Sequence, residues 1–157
     1  MEVMVKVMAT GVFDIMHIGH LHFLEAARAL GDELVVVVAS DATVRRRKHV
    51  PINDANTRAM MVAGLKPVTR AVVGGEGDPL DIVEAEKPDI IVIGYDQDFD
   101  EKELEKKLAE RGLKTNIRRT GHFDSDLDGT RKIIRSIGIR LAQGEMYNGE
   151  DSKEDEN

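Results

Sequence analysis

The 157-residue chain contains no cysteine and no tryptophan, and only two tyrosines and four phenylalanines. Without cysteine there is no disulfide, thiolate nucleophile, iron–sulfur cluster or Cys-ligated zinc. That absence fits a reducing compartment. No apolar run approaches the about 20 residues needed to cross a bilayer. Residues 1–8 lack a signal-peptide layout, since Glu2 and Lys6 alternate with apolar residues. A cytoplasmic protein with no membrane partner is expected. A basic surplus is missing too: 22 Lys and Arg stand against 29 Asp and Glu, for a net charge of −7. This excludes a generally basic nucleic-acid binder. The acidity is uneven, with −5 in residues 142–157 and only −2 in residues 1–141. One domain over 1–141 and an acidic, disordered tail over 142–157 are expected.

What is present is a rhythm. Hydrophobic residues make up 41% of the chain, enough for one substantial core. Residues 3–9 alternate as a strand, and Leu21, Phe23, Leu24, Ala27 and Leu30 recur at helical spacing, with Gly31 as a stop. The apolar runs 34–39 and 90–93 have the pattern of strands buried on both faces. A polar stretch, 40–56, separates the first run from a helix through Leu65 capped by Asp54 or Asn56. Residues 71–73 and 115–118 complete five expected strands. Asp78-Pro79 opens a further helix, and 100–111 and 130–142 form two more, Gly112 ending the first of them. Strands alternating with helices predict an α/β domain with a five-stranded parallel sheet. Ligands of such sheets bind outside the carboxyl ends of the strands.

The densest constellation lies there. Thr10-Gly11-Val12-Phe13-Asp14 ends the first strand, and His17-Ile18-Gly19-His20 opens the first helix. Histidines three apart share one side of a helical turn. A helix N-terminus offers N–H groups and partial positive charge to a phosphate. Gly19 leaves room for a ligand or a close backbone contact. Two polar residues at a helix start that happen to be histidines fit the same positions. Zinc on His17, His20 and His22 is disfavoured, because that spacing does not keep three imidazoles on one face.

These residues resemble the signature of the cytidylyltransferase-like nucleotidyltransferases, a Gly-x-Phe-Asp segment followed by His-x-Gly-His on a Rossmann-like fold. The resemblance spans residues 3–141 in element order and spacing. It implies transfer of a nucleoside monophosphate from a triphosphate onto a phosphorylated acceptor, with release of pyrophosphate. It also implies His17 and His20 as donors to the α-phosphate, and Asp14 as a group placing the acceptor or the metal–phosphate cluster. Thr10, Gly11, Val12, Phe13 and Gly19 are implied to line the nucleotide pocket. Mg2+ comes with the triphosphate, its ligands on the chain unassigned. A phosphate nucleophile is already anionic near neutral pH, so the reaction needs alignment and charge stabilisation more than a base.

Later motifs extend the resemblance. Arg45-Arg46-Arg47-Lys48 is either a solvated run or, as in relatives, a loop reaching the phosphates through Arg46 or Lys48. Arg58 is similar to an arginine near a dimer contact, or is a plain surface residue. Gly94 and Asp96 are implied to approach the nucleoside. Arg118-Arg119-Thr120-Gly121 and Asp128-Gly129-Thr130 resemble an Arg-Thr-x-Gly-Ile-Ser-Thr-Thr pattern, stretched by residues 123–126, with Asp128-Gly129 replacing a hydroxyl pair. This implies Arg119 as a catalytic arginine and Thr130 as a phosphate ligand. Asp124, Asp126 and Asp128 cap the helix, point outward or contact a metal ion.

Tyr95-Asp96-Gln97 with Phe99, together with Asp41-Ala42-Thr43-Val44 and Leu65-Lys66-Pro67-Val68, is most similar to the archaeal-type FAD synthase branch. That branch transfers AMP from ATP to FMN. Phe99 or Phe123 would stack on the flavin, while Phe23 is expected in the core. The alternatives are a cytidylyltransferase using CTP and glycerol 3-phosphate or a similar alcohol phosphate, and a non-catalytic nucleotide sensor. Class I aminoacyl-tRNA synthetases also carry His-x-Gly-His, but the chain is short for one, lacks a Lys-Met-Ser-Lys-Ser loop and is not basic. Relatives are commonly dimers, so a homodimer is expected.

Overall fold

The uninterrupted apolar runs become central strands because both their faces are covered. In a computed structural model of the chain, β1 (Lys6–Gly11) pairs in parallel with β2 (Glu33–Val38) on one side and β4 (Ile90–Ile93) on the other. The outer strands β3 (Arg70–Val73) and β5 (Asn116–Arg119) complete a five-stranded parallel sheet of order β3-β2-β1-β4-β5. The described residues are 3–47, 49–123, 125 and 127–145. Lys48, Asp124, Asp126 and residues 146–157 of the expected tail lie outside them.

Alternate residues of each strand face opposite helical layers. On one face Val7, Ala9, Leu34, Val36 and Val38 pack with Leu24 and Ala27 of α1 (Ile18–Arg28). Val62 of α3 (Ala55–Ala63) joins the same cluster, and Phe23 packs against it as expected. On the other face Met8, Val37, Ile91 and Ile93 meet Leu80 and Val83 of α4 (Leu80–Glu86) and Leu108 of α5 (Glu101–Glu110). The chain runs from β1 to β2 and β3, then returns to the far side of β1. The resulting switch point lies between the carboxyl ends of β1 and β4, where such sheets hold ligands.

Several local expectations are corrected. The polar stretch contains a short helix, α2 (Asp41–Arg46), whose first turn is capped by Ser40 through Thr43 N at 3.2 Å. Asp54, not Asn56, caps α3, accepting from Thr57 N at 2.7 Å. Gly31 is required by crowding: a Cβ there would stand 2.7 Å from the Val5 carbonyl oxygen. Arg58, expected at the surface or at a dimer contact, is completely buried in α3. The last helix, α6 (Thr130–Ala142), has no buried side chain and exposes Ile134, Ile137, Ile139 and Leu141.

Candidate active site

The β1–α1 corner is held by its two histidines. His17 is the N-cap of α1, and its Nδ1 accepts hydrogen bonds from Gly19 N at 3.1 Å and His20 N at 3.4 Å. His20 Nδ1 accepts in return from His17 N at 3.3 Å. This is a capping box built from imidazoles in place of hydroxyl and carboxylate. The rings stack with centroids 3.6 Å apart. Because each Nδ1 accepts an amide proton, each neutral ring carries its own proton on Nε2. Neither Nε2 has a hydrogen-bond partner among the described residues, and no buried side-chain nitrogen or oxygen among them is unsatisfied. Both donors therefore reach open space. Burial, then the neighbouring His17, pushes the His20 pKa down to about 3. Burial also lowers that of His17, while Asp128 and Asp96 pull it upward. Near neutral pH the pair consists of two uncharged N–H donors.

The preceding loop is tied down from below. Phe13 adopts φ +53°, a left-handed conformation that costs a non-glycine residue about 1 kcal/mol. Its ring is 3% exposed and packs 5.1 Å from that of His20, so its side chain supports the histidines from the core. Asp14 accepts from Ile52 N at 2.8 Å and Asn53 N at 2.9 Å, one bond to each oxygen. Its carboxylate is thereby engaged with the 52–53 backbone. Arg58 donates to the Val12 carbonyl at 2.7 Å, the Asn53 carbonyl at 2.9 Å and Asp41 at 2.8 Å. One buried guanidinium thus joins the β1–α1 loop, the loop before α3 and the start of α2. Arg58 holds Asp41 below the usual carboxylate range by hydrogen bonding.

Across the switch point, Gln97 bridges the two central strands. Its Oε1 accepts from Gly94 N at 2.8 Å and its Nε2 donates to the Thr10 carbonyl at 3.1 Å. Arg119 clamps the same loop, donating to the carbonyls of Gly94 and Gln97, both at 2.9 Å, and of Phe99 at 3.0 Å. Its Nε pairs with Glu101. The guanidinium expected to be catalytic is here engaged in shaping the 94–99 loop. Asp96 stays exposed, with no hydrogen-bond partner among the described residues.

The segment between β5 and α6 crosses α1. A Cβ on Gly19 would stand 2.5 Å from the Asp128 carbonyl oxygen, so only glycine permits this approach. Thr130 Oγ1 donates to the Ile15 carbonyl at 3.4 Å, and Phe123 stacks on His22 at 3.6 Å. Asp128 does not point outward: its side chain is 5% exposed and bonds to His122 Nε2 at 3.0 Å and Lys132 Nζ at 2.6 Å.

A cavity of about 660 Å³ opens beside the switch point, between β2, the loop after β3 and α4. Thr10, Gly11 and Val12 line it, as does Arg46 with its neighbour Arg47. Val37, Pro79, Ile82, Ala85 and Phe99 supply an apolar wall. Asp78 and Asp81 at its edge are ion-paired with Arg111, which limits their repulsion of an anion. Of the two phenylalanines expected to stack on a ligand, Phe99 lines this cavity and Phe123 is engaged with His22. Among the described residues no three His, Asp or Glu side chains form a metal cluster, and no helix is long and apolar enough to cross a membrane.

A sheet of this order, with two imidazole donors at a helix start beside its switch point, defines a nucleotide-handling α/β protein. The chain belongs to the cytidylyltransferase-like family, whose model matches residues 8–143. It is 59% identical over 139 residues to a FAD synthase of Aciduliprofundum boonei, covering 88% of this chain and 93% of that protein. A FAD synthase of Thermoplasma acidophilum is 50% identical over 142 residues, covering 88% of this chain and all of that one. A crystal structure described as a lipopolysaccharide core biosynthesis protein of Thermoplasma volcanium superposes with a TM-score of 0.77 at 51% identity. It covers 78% of this chain and 100% of its own.

Proposed function

We propose that the chain is an FMN adenylyltransferase, joining AMP from ATP to FMN to give FAD and pyrophosphate. The observation that carries this reading is the pair of tautomer-fixed Nε2–H donors at the end of a β1 loop whose first residues, Thr10 to Val12, line a largely apolar cavity edged by two arginines. The isoalloxazine enters that cavity against Ile82, Ala85 and Phe99, and Arg46 meets the FMN phosphate. A phosphate oxygen of FMN attacks the α-phosphorus of ATP, forming the new P–O–P bond as the α–β bridge breaks to pyrophosphate. His17 and His20 donate to oxygens that gain charge in that transition state, where preorganised donors count most. Gly94 and Asp96 face the nucleoside, and Thr130 the phosphate chain. Asp14 and Arg119 act by holding the 52–53 and 94–99 loops in place.

Magnesium is the finer part of this reading. The donors suit an ion carried in on the triphosphate, which commonly needs only one or two protein carboxylates. Both Asp14 oxygens already accept amide protons, so Asp14 would meet the ion through its water shell. Such an ion neutralises charge on the phosphates. A homodimer is proposed as well, with the uncovered Ile134, Ile137 and Leu141 stripe of α6 as its contact, and light scattering tests it.

The decisive assay supplies FMN, ATP and a divalent cation, and follows FAD by chromatography together with pyrophosphate. Formation of both is expected. Product only from CTP and glycerol 3-phosphate would replace the substrates and keep the chemistry, and tight nucleotide binding without any product would favour a sensor.

A further inference from the structure

The cavity is lined by few polar side chains, and most of them are engaged with one another. Asp78 and Asp81 pair with Arg111, and the Ser40 hydroxyl donates to that of Thr43 at 3.0 Å. Gln97 differs. It lines the same cavity with its side-chain amide held at both ends, Oε1 by Gly94 N at 2.8 Å and Nε2 by the Thr10 carbonyl at 3.1 Å. Those anchors stand at the ends of neighbouring strands, since β4 pairs with β1 through Val92 and Ala9. Exchanging the amide oxygen and nitrogen would set donor against donor and acceptor against acceptor, so the orientation is fixed. A primary amide has two N–H donors. One is spent on Thr10, and the other has no partner among the described residues. The backbone beneath it is equally fixed. Arg119 holds the carbonyls of Gln97 and Phe99, the two residues of the 94–99 loop that line the cavity.

We propose that Gln97 sets acceptor specificity by donating its second N–H to an uncharged oxygen of the flavin, a ring carbonyl or a ribityl hydroxyl. A ligand that fills an apolar pocket strips water from this N–H. One without a matching oxygen leaves the donor unpaired and is rejected. Glutamate has the same shape but no N–H, and its charge would oppose both the Thr10 carbonyl and an anionic acceptor. Phe99 supplies flat apolar contact and Gln97 the directional one, the usual division in a small-molecule site. The Thr10 anchor adds a second consequence. The segment that holds Gln97 runs on through Val12 into the histidine corner. The donor to the acceptor and the donors to the α-phosphate are thus referred to one length of chain, which favours in-line alignment.

This inference rests on the flavin reading of the cavity, so its test separates the two. Binding of riboflavin, lumiflavin and an ATP analogue with an α,β-methylene bridge to the full chain is measured by calorimetry. Gln97→Met should weaken riboflavin about tenfold, as loss of one buried hydrogen bond implies, with the ATP analogue changed less than about twofold. Gln97→Glu keeps an acceptor for Gly94 N and removes both donors, so it should weaken riboflavin at least as much. Lumiflavin has the ring without the ribityl chain. An equal loss for lumiflavin places the bonded oxygen on the ring, and a loss confined to riboflavin places it on the ribityl chain. A residue that only ties β1 to β4 would weaken riboflavin and the ATP analogue alike, since both sites are built on the end of β1. That result, or riboflavin binding retained in either variant, overturns the proposal. An unaltered chain that binds no flavin and makes product from another phosphorylated alcohol would remove FMN as the acceptor. A tenfold rise of KM for that alcohol in Gln97→Met, at constant kcat, would then keep Gln97 as the specificity donor on the same scale of about one hydrogen bond. An unchanged KM would overturn it.

Discussion

Two strand–loop–helix corners meet at the switch point, and they are built on opposite principles. The β1–α1 corner satisfies itself: its helix is capped by its own histidines, Phe13 lies beneath them, and the buried Arg58 ties its backbone to two other loops. The β5–α6 corner is held by the Asp128 carboxylate, bonded to the exposed side chains of His122 and Lys132, and leads into a helix with no buried side chain. Groups that must already be aligned when substrate arrives belong on the first kind of corner, since preorganisation removes the cost of ordering them during reaction. The second corner is the one expected to open first, because each of its contacts is individually weak.

The largest effect should come from breaking the first corner at its root. Arg58→Met should cost about 3–5 kcal/mol in denaturant-induced unfolding, because Asp41 and two loop carbonyls lose their buried partner. A cost under about 1 kcal/mol, typical of a surface ion pair, would mean that the corner is not locked from below. Next comes His17→Asn. Asparagine preserves an N-cap acceptor but removes the Nε2 donor, so kcat should fall about 10²–10³-fold with little change in melting temperature. Near-wild-type turnover would take His17 out of the mechanism.

A third effect separates the corners by pH. The His20 pKa lies near 3 in the folded chain and at 6.5 when unperturbed. Between those values the unfolded chain binds a proton that the folded chain does not, so stability falls as pH drops below 6.5. The slope approaches about 1.4 kcal/mol per pH unit from this group. Thermal melts between pH 7 and pH 5, above the range where most carboxylates titrate, should show the loss, and His20→Asn should flatten it. A smaller effect joins the two corners: Gly19→Ala pushes on the Asp128 carbonyl, and should raise KM for ATP more than it lowers stability, by about 1 kcal/mol of strain. Smallest of all, Asp128→Asn should leave the melting temperature nearly unchanged. A large drop would show that the second corner is as rigid as the first.

What was legible in the sequence followed the range of the interactions. The capping histidines lie three residues apart and the apolar runs are continuous, so motif and periodicity display them directly. Gln97 escaped because its partner, Thr10, is 87 positions away and glutamine in a loop carries no signal of its own. Arg58 was expected outside because an arginine at a helix start usually is; its 0% exposure depends on Val12, 46 positions earlier, presenting a carbonyl to it. Arg119 and Asp14 kept their places in the motif while their charged groups proved to be spoken for by backbone.

The sequence by itself determined the alternation of strands and helices, the buried parallel sheet and the two imidazoles at the first helix start. Each of these is a matter of side-chain period or of backbone groups within one turn, which neighbouring residues settle among themselves. Only the tertiary structure decided which charges hold the fold together, which face the cavity, and which are taken up by one another at the start of α6. A charged side chain costs or contributes according to the partners and the solvent around it, and those arrive from segments far apart in the chain.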